Sequence, residues 1–210
     1  MEARVLFEID GASVSGAIFK FSDSGEAKIL FSEKESSGLE GKFDTDHLLS
    51  SMKKNLGKVI DSLSLKLPKK TEKAYCLLSS PYLASQNLSL KIEYREPVLI
   101  TKELLDFLVQ RETNDFEKNH LGHNDEVDKT AHEILEKKIQ ATKLNGYATS
   151  QPFGKYARRL EAHTFISITP SILRAEINEF LISRFHSNEV EFHSTFFCLF
   201  HQVRDIIKKE

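Results

Sequence analysis

Tryptophan is missing from the 210-residue chain, and cysteine, methionine and proline are scarce. The two cysteines lie in apolar surroundings, AYCLL around Cys76 and FFCLF around Cys198, which is typical of small buried side chains and excludes a disulfide framework. No apolar run approaches the ~18 residues of a membrane-spanning helix, and the N-terminus lacks the basic and apolar blocks of a signal peptide. These absences predict a soluble, cytoplasmic protein in a reducing compartment.

The chain also lacks an excess of positive or negative charge, because its 29 basic residues nearly balance its 31 acidic ones. Such a balance argues against nucleic acid, or an anionic lipid surface, as the main partner. A chain of this length buries roughly 70% of the surface that its unfolded form exposes. The sequence therefore predicts either one large domain or two small ones, with a buried hydrophobic core.

The apolar pattern of the first 96 residues predicts an α/β layer. Alternation over residues 5–9, 17–21 and 27–31 indicates three strands, the first two joined by the short polar tip Asp10-Gly11-Ala12-Ser13. Apolar residues from Leu48 to Leu63 recur with a helical period. The segments KAYCLLSS and LSLKIEYRE read as two further strands, one of them buried.

The composition changes near Pro97, where we place the start of a second domain. A capped helix is followed by a polar, non-periodic stretch from Thr113 to Lys129, which predicts a loop, and the pair Asn145-Gly146 predicts a tight hairpin. The predicted organisation is residues 1–96 plus 196–210 as one domain and residues 97–195 as an inserted one. Four aromatic residues near the end are interpreted as core rather than a partner surface: Phe192, Phe196, Phe197 and Phe200.

Several segments together resemble a known family: the opening hairpin, the helix on a sheet, REPVLITKELLDFL, YATSQPFGKYARRLEAHTFISITPSILRAEINEFLI and NEVEFHSTFF. They resemble the N-terminal half of the bacterial actin-like proteins FtsA, of cell division, and PilM, of type IV pilus assembly. The family pattern is matched best at Pro152-Phe153-Gly154 and over Arg159–His163. The resemblance implies an α/β fold with an actin-like (ribonuclease H-like) first subdomain and a smaller inserted α+β domain of strand-helix-strand-strand type.

The family's first phosphate-binding loop reads Asp-x-Gly-Ser/Thr-x-Ser, and the resemblance implies ATP with Mg²⁺ as its ligand. Aligning the flanking strands puts Glu8 at the aspartate, Asp10 at the first glycine, and Gly11, Ala12 and Ser13 at the small positions. A carboxylate about 4 Å from a phosphate oxygen is repelled by roughly 4 kcal/mol at an effective dielectric of 20. We therefore expect weak or no ATP binding by this chain. A second alignment, which keeps Asp10 as the catalytic carboxylate and shortens the loop by two residues, stays open.

In the family a second phosphate hairpin follows the inserted domain, and this chain ends at Glu210, about where that hairpin begins. The chain is either a fragment or a natural half-protein. The C-terminal CLFHQVRDIIKKE is too short and has too few basic residues to act as a membrane tether. We expect membrane contact only through a partner or through missing sequence.

No catalytic or metal-ligating set stands out. His120 and His123 have a metal-like spacing but no second ligand pair, so we interpret them as part of a solvated loop. The favoured function is an actin-like scaffold or adaptor that docks a protein partner, a peptide or another copy of its own fold, in cell division or type IV pilus assembly. The alternative is an ATP-binding or ATP-hydrolysing enzyme of the actin and sugar-kinase superfamily, in which Glu8 or Asp10 with Ser13 organises metal and phosphates.

Overall fold

Two separate β-sheets, each with its own helices, make up the protein in a computed structural model. The chain divides into a first unit, Met1–Ala84 with Thr169–Glu210, and a second unit, Ser85–Ile168. The structure describes residues 3–36, 45–67, 73–121, 132–185 and 189–207. No helix within those ranges is long and apolar enough to cross a lipid bilayer.

The first unit is a five-stranded mixed sheet in the order β3-β2-β1-β4-β9. Strands β1 to β3 form an antiparallel meander, and β4 and β9 run parallel to β1. Its elements are β1 (Arg4–Ile9), β2 (Ser13–Phe21), β3 (Ala27–Ser36), α1 (Thr45–Ser64), β4 (Lys73–Leu78), α3 (Ser171–Phe185), β9 (Glu189–Ser194) and α4 (Thr195–Ile207).

One face of this sheet is buried beneath α1. The strand period turns every second side chain of β1 inward, and the helical period of α1 supplies the facing stripe. At Gly16 the helix approaches so closely that a methyl group would lie 2.7 Å from both Leu63 Cδ1 and Val59 Cγ1. The buried set includes Val5, Phe7, Ile9, Met52, Leu56, Val59, Ile60 and Leu63.

The second unit is a four-stranded sheet in the order β5-β8-β6-β7. Its elements are β5 (Ala84–Leu99), α2 (Lys102–Leu121), β6 (His132–Leu144), β7 (Tyr147–Ala148) and β8 (Tyr156–Pro170). The core joins apolar residues of α2 to those of the strands, among them Leu90, Leu105, Leu108 and Leu160. The predicted Asn145-Gly146 turn between β6 and β7 is confirmed, with positive φ at both residues.

The boundaries between the units differ from the predicted 97 and 195. At the C-terminal side, β9 pairs in parallel with β4 and α3 contacts α1, so both elements belong to the first unit. A parallel pair requires a crossover connection, and a helix just before the returning strand normally packs on that strand's sheet. At the N-terminal side, β5 continues through Pro97, and proline is tolerated in β5 because it is an edge strand, with only one neighbour.

The loop predicted from Thr113 is wrong over its first nine residues, because α2 continues to Leu121. Thr113 is buried and its hydroxyl donates to the Val109 carbonyl at 2.8 Å, so this polar residue satisfies itself within the helix. Phe116 is also buried and extends the apolar stripe by two turns from Val109. The rest of the predicted loop, residues 122–129, lies outside the described residues.

The aromatic residues near the end were predicted as core, and two of them are not. Phe192 in β9 is buried, whereas Phe196 and Phe200 in α4 are 52% and 42% exposed. The core interpretation is therefore wrong for Phe196 and Phe200. The sequence could not distinguish the buried Phe192 from the exposed Phe196 and Phe200, because the buried strand β9 is followed directly by the partly exposed apolar helix α4.

Candidate functional site

The tip between β1 and β2 is closed by its own aspartate. Asp10 Oδ1 accepts hydrogen bonds from the main-chain N–H groups of Ala12 and Ser13, each at 2.7 Å. Its Oδ2 accepts a third hydrogen bond from the Ser13 hydroxyl at 2.8 Å. Aspartate commonly folds back on the residues two and three ahead of it in turns. Here the carboxylate lies within the curve of the tip.

All four N–H groups of the tip donate to acceptors within the protein. The Asp10 N–H donates to the Ser13 carbonyl at 3.0 Å, and the Gly11 N–H donates to the Ser80 carbonyl at 3.2 Å. The N–H groups of Ala12 and Ser13 donate to the Asp10 carboxylate. Phosphate-binding loops work by aiming free N–H groups at the anion. A phosphate entering this tip would have to displace the Asp10 carboxylate first.

The electrostatics of the tip favour the ionised aspartate. Burial acts to raise the pKa of Asp10, but the hydrogen bonds from Ala12 and Ser13, with the positive charge of Lys34, hold it below its ordinary value of 3.8. Charged acceptors bonded by several N–H and O–H donors are stabilised in this way. Burial raises the pKa of Tyr82 to about 12, with a further contribution from the negative charge of Asp10. The tip therefore carries a permanent internal anion at neutral pH.

The connection after β4 packs directly on the tip. The Ser79 N–H donates to the Ile9 carbonyl at 2.9 Å, and a methyl group on Gly11 would lie 3.0 Å from Pro81 Cδ. Glycine at position 11 avoids this tight contact with Pro81. The ends of two parallel strands, β1 and β4, thus meet at one edge of the sheet, where open α/β sheets often place their sites.

Glu8 lies apart from the tip, on the groove beside it. The Ser15 hydroxyl donates to Glu8 Oε2 at 3.5 Å. Cross-strand register puts Glu8, Ser15 and Lys34 in one row across β1, β2 and β3, and the neighbouring row is Leu6, Ala17 and Ser32. These residues line a groove of about 550 Å³ with an apolar floor and charged sides.

Of the five predicted site residues, the structure brings four together, Asp10, Gly11, Ala12 and Ser13, and puts Glu8 on the adjacent groove. Sequence reasoning missed Lys34, Ser80 and Tyr82. The signal for Ser80 was present, because the polar SSP segment follows a buried strand and parallel strands end at the same edge. Lys34 could not have been found without the register of β3.

The described part of the chain holds no cluster of three or more His, Cys, Asp or Glu side chains that could bind a metal ion. The side chains of His120 and His123 lie outside the described residues. Chemically, the tip can hold its own carboxylate and rigidify the hairpin, and the groove can accept an extended segment with a small apolar side chain. The residues of the tip, as they are bonded, do not fit a triphosphate.

No known protein-family model matches the chain. No protein of curated function matches it in sequence either. Among solved structures, the chain is similar to one described as a PilM-PilN type IV pilus biogenesis complex, with a TM-score of 0.52 and 8% identity over 92% of this chain. This chain spans about half of that one, 48% of its length. The likeness shows a PilM-like mixed α/β fold.

A diol dehydratase-reactivating factor in nucleotide-free form also overlaps with the chain, at 16% identity over 50% of this chain and 20% of that one. Its TM-score of 0.25 is too low to bear on the fold.

Proposed function

We propose that the protein is an actin-like scaffold of type IV pilus assembly, which binds a protein partner and does not depend on ATP. The observation that carries the proposal is the Asp10 carboxylate, bonded to the N–H groups of Ala12 and Ser13 where a phosphate would bind. The fold supports the rest, because the similar PilM structure is of a complex with another protein. A fold alone does not determine a function, so the argument depends on the tip.

The Asp10 carboxylate competes with any phosphate in two ways. It is tethered to the loop it fills, so its effective concentration there is high, whereas a nucleotide arrives from solution. Its negative charge also repels the incoming phosphate by roughly 4 kcal/mol at about 4 Å and an effective dielectric of 20. Both effects disappear if the side chain is removed.

The groove beside the tip offers a place for a partner's peptide. Its floor is apolar at Leu6 and Ala17, and its sides carry opposite charges at Glu8 and Lys34. Such a surface suits an extended segment with one apolar side chain between polar ones, because the floor provides burial and the charges fix orientation. We place the peptide of the partner across this groove.

Calorimetry with ATP and excess Mg²⁺ tests the nucleotide half of the proposal. We expect no micromolar binding by the unmodified chain and measurable binding by Asp10→Gly, which frees two N–H groups. Asp23→Gly, in the exposed turn after β2, is the matched control and should behave like the unmodified chain. Micromolar binding or steady phosphate release by the unmodified chain would favour the ATP-hydrolysing alternative instead.

Site-specific crosslinking tests the partner half. A photo-reactive residue replaces Ser32, which lines the groove, or Lys54, which is exposed on α1. In cells that assemble pili, the probe at position 32 should capture a pilus-assembly protein and the probe at position 54 should not. Equal capture at both positions, or capture of no protein at position 32, contradicts docking in the groove.

A further inference from the structure

The end of the hairpin formed by β6, β7 and the start of β8 is basic. Residues 137–163 carry a single acidic side chain, Glu161. The same stretch carries six basic ones: Lys143, Lys155, Arg158 and Arg159 lie near the turn, and Lys137 and Lys138 lie in the middle of β6. The near-zero net charge of the whole chain conceals this local excess.

Most of these cations have no acidic partner among the described residues. Arg158 pairs with Glu96 at 3.3 Å. Lys137 donates to the amide oxygen of Gln110 and Lys155 to the Thr149 hydroxyl, both neutral acceptors. Across the described ranges, no other member of the set has an ion pair. An unpaired cluster of cations attracts an anionic partner, since its field is not cancelled locally.

Three large aromatic side chains of the same stretch are exposed. Tyr147 is 80% exposed beside the turn, Phe153 is 50% exposed and Tyr156 is 68% exposed. Contiguous exposed apolar patches are uncommon on monomeric proteins and often mark interaction sites. Tyrosine suits a boundary between apolar and aqueous surroundings because its ring is apolar and its hydroxyl is polar.

The hairpin end is held in a defined shape. Asn145 Oδ1 accepts hydrogen bonds from the N–H groups of Arg158 and Arg159, at 2.9 and 3.0 Å, which fixes the turn to the start of β8. The segment carrying Phe153 is tied to Ile100, whose N–H donates to the Lys155 carbonyl and whose carbonyl accepts from the Gly154 N–H. The cations and aromatic rings are therefore presented together on ordered main chain.

We propose that this hairpin end, residues 143–159, binds the surface of an anionic lipid bilayer directly. Its cations match the charge of acidic headgroups, and its tyrosines suit the level of the bilayer where aromatic side chains collect. The inference is independent of the proposed function, since it concerns the second unit alone. From the sequence we expected membrane contact only through a partner or through missing sequence; the local charge and exposure argue otherwise.

Other anionic partners fit the surface less well. Single-stranded nucleic acid needs a positive groove that tracks several phosphates, whereas these cations flank one tight turn. An acidic peptide could neutralise the cations but offers few apolar groups to the exposed rings. A planar lipid surface that meets the end of the hairpin reaches side chains of both its faces, so the cations and the exposed rings can contact it together.

Vesicle co-sedimentation of the full chain tests the charge requirement. The chain should bind vesicles of phosphatidylcholine mixed with phosphatidylglycerol and not vesicles of phosphatidylcholine alone. Each lost cation lowers the partition coefficient about fivefold, so the combined K143Q, K155Q and R159Q variant should bind about a hundredfold more weakly. The control removes equal charge from the first unit, with K20Q, K28Q and K54Q, and should bind as the unmodified chain does.

The inference is overturned if the unmodified chain ignores anionic vesicles, or if the two triple variants lose binding equally. It is also overturned if poly-glutamate or a single-stranded oligonucleotide displaces the chain from vesicles when the competitor supplies far fewer negative charges than the anionic lipid does. Circular dichroism of both triple variants verifies that they fold.

Fluorescence tests the aromatic contact separately, because the chain has no tryptophan of its own. In a Tyr147→Trp variant, anionic vesicles should shift the emission to shorter wavelength as the indole leaves water. Ile29→Trp, at another well-exposed position, in the first unit, should show no shift. Unshifted emission from vesicle-bound Tyr147→Trp protein, or equal shifts in the two variants, contradicts the inference.

Discussion

The Asp10 carboxylate accepts hydrogen bonds from both the main-chain N–H and the hydroxyl of Ser13, at 2.7 and 2.8 Å. Ser13 is the first residue of β2, so these bonds tie the end of one strand to the start of the next. An anion therefore stabilises the tip from within. The stability of the hairpin should depend on the ionisation of this one side chain.

The first prediction is that Asp10→Asn destabilises the protein at neutral pH by about 1 kcal/mol, because a charged acceptor is worth more than a neutral one. The folded pKa of Asp10 lies below its unfolded value near 3.8. Its contribution is thus complete above the unfolded pKa and is lost as the pH falls through the folded pKa. The difference in unfolding free energy between Asp10→Asn and the unmodified chain should shrink below about pH 4.

Urea unfolding between neutral pH and about pH 3, below the ordinary pKa of an aspartate, checks this prediction on the unmodified chain and on Asp10→Asn. Asp23→Asn, in the exposed turn after β2, controls for the loss of a negative charge as such. A difference that stays constant across the range, or that grows on acidification, would show that the Asp10 charge is not the stabilising group.

The second prediction concerns two glycines, Gly16 in the sheet beneath α1 and Gly57 within α1 itself. Gly16→Ala should destabilise the protein by about 1–3 kcal/mol, since its methyl group overpacks Val59 and Leu63. Gly57→Ala, inside α1, meets only Phe180 Cζ at 3.6 Å and should stabilise the protein by about 0.5–1 kcal/mol through helix propensity. Thermal or urea unfolding gives both signs, and a Gly16→Ala variant as stable as the unmodified chain would contradict the packing described at Gly16.

Much of the fold could be predicted because local periodicity reflects burial. The alternation in β1 and the helical stripe of α1 correspond to side chains that are now found on one buried face. The division of the chain into its two units could not be predicted from local periodicity. The membership of α3 and β9 depends on the pairing of β9 with β4, which joins residues more than 100 positions apart and leaves no local pattern.

At the candidate site, the sequence predicted the residues of the tip but neither their bonding nor the neighbours Lys34, Ser80 and Tyr82. The short polar tip identified Asp10 to Ser13, since small residues between two strands indicate a turn. The direction of the Asp10 side chain depends on three hydrogen bonds within the tip, and the Gly11 N–H is taken by Ser80 from another strand end. A sequence alone does not say whether a carboxylate faces a ligand or its own loop.

The third prediction uses the two cysteines as reporters. Burial raises the pKa of the Cys76 thiol, so its reactive thiolate is scarce and shielded in the folded state. Cys198, which is only partly buried, should react first with a thiol reagent. In a Cys198→Ser variant the remaining thiol should be labelled only as the protein unfolds, and mass spectrometry across a urea series measures this. Native-state labelling of Cys76 at the rate of Cys198 would contradict its burial.

The last prediction separates strain from hydrogen bonding at Asn145, whose φ of 51° lies in the left-handed region. Asn145→Gly keeps that conformation at little cost but removes the oxygen that accepts from Arg158 and Arg159. Asn145→Val removes the same oxygen and adds the strain of a branched residue at positive φ, about 1–2 kcal/mol. We expect the unfolding free energy to fall by about 1 kcal/mol in the glycine variant and further in the valine variant.

Urea unfolding gives the order of stabilities, and amide hydrogen exchange at Arg158 and Arg159 isolates the lost acceptor. Both variants should speed exchange at these two amides by similar factors, because both lack the oxygen, while only the valine variant carries the extra strain. Equal loss of stability in the two variants would show that the turn relaxes to accommodate valine. Unchanged exchange in the glycine variant would show that the Asn145 side chain does not hold the start of β8.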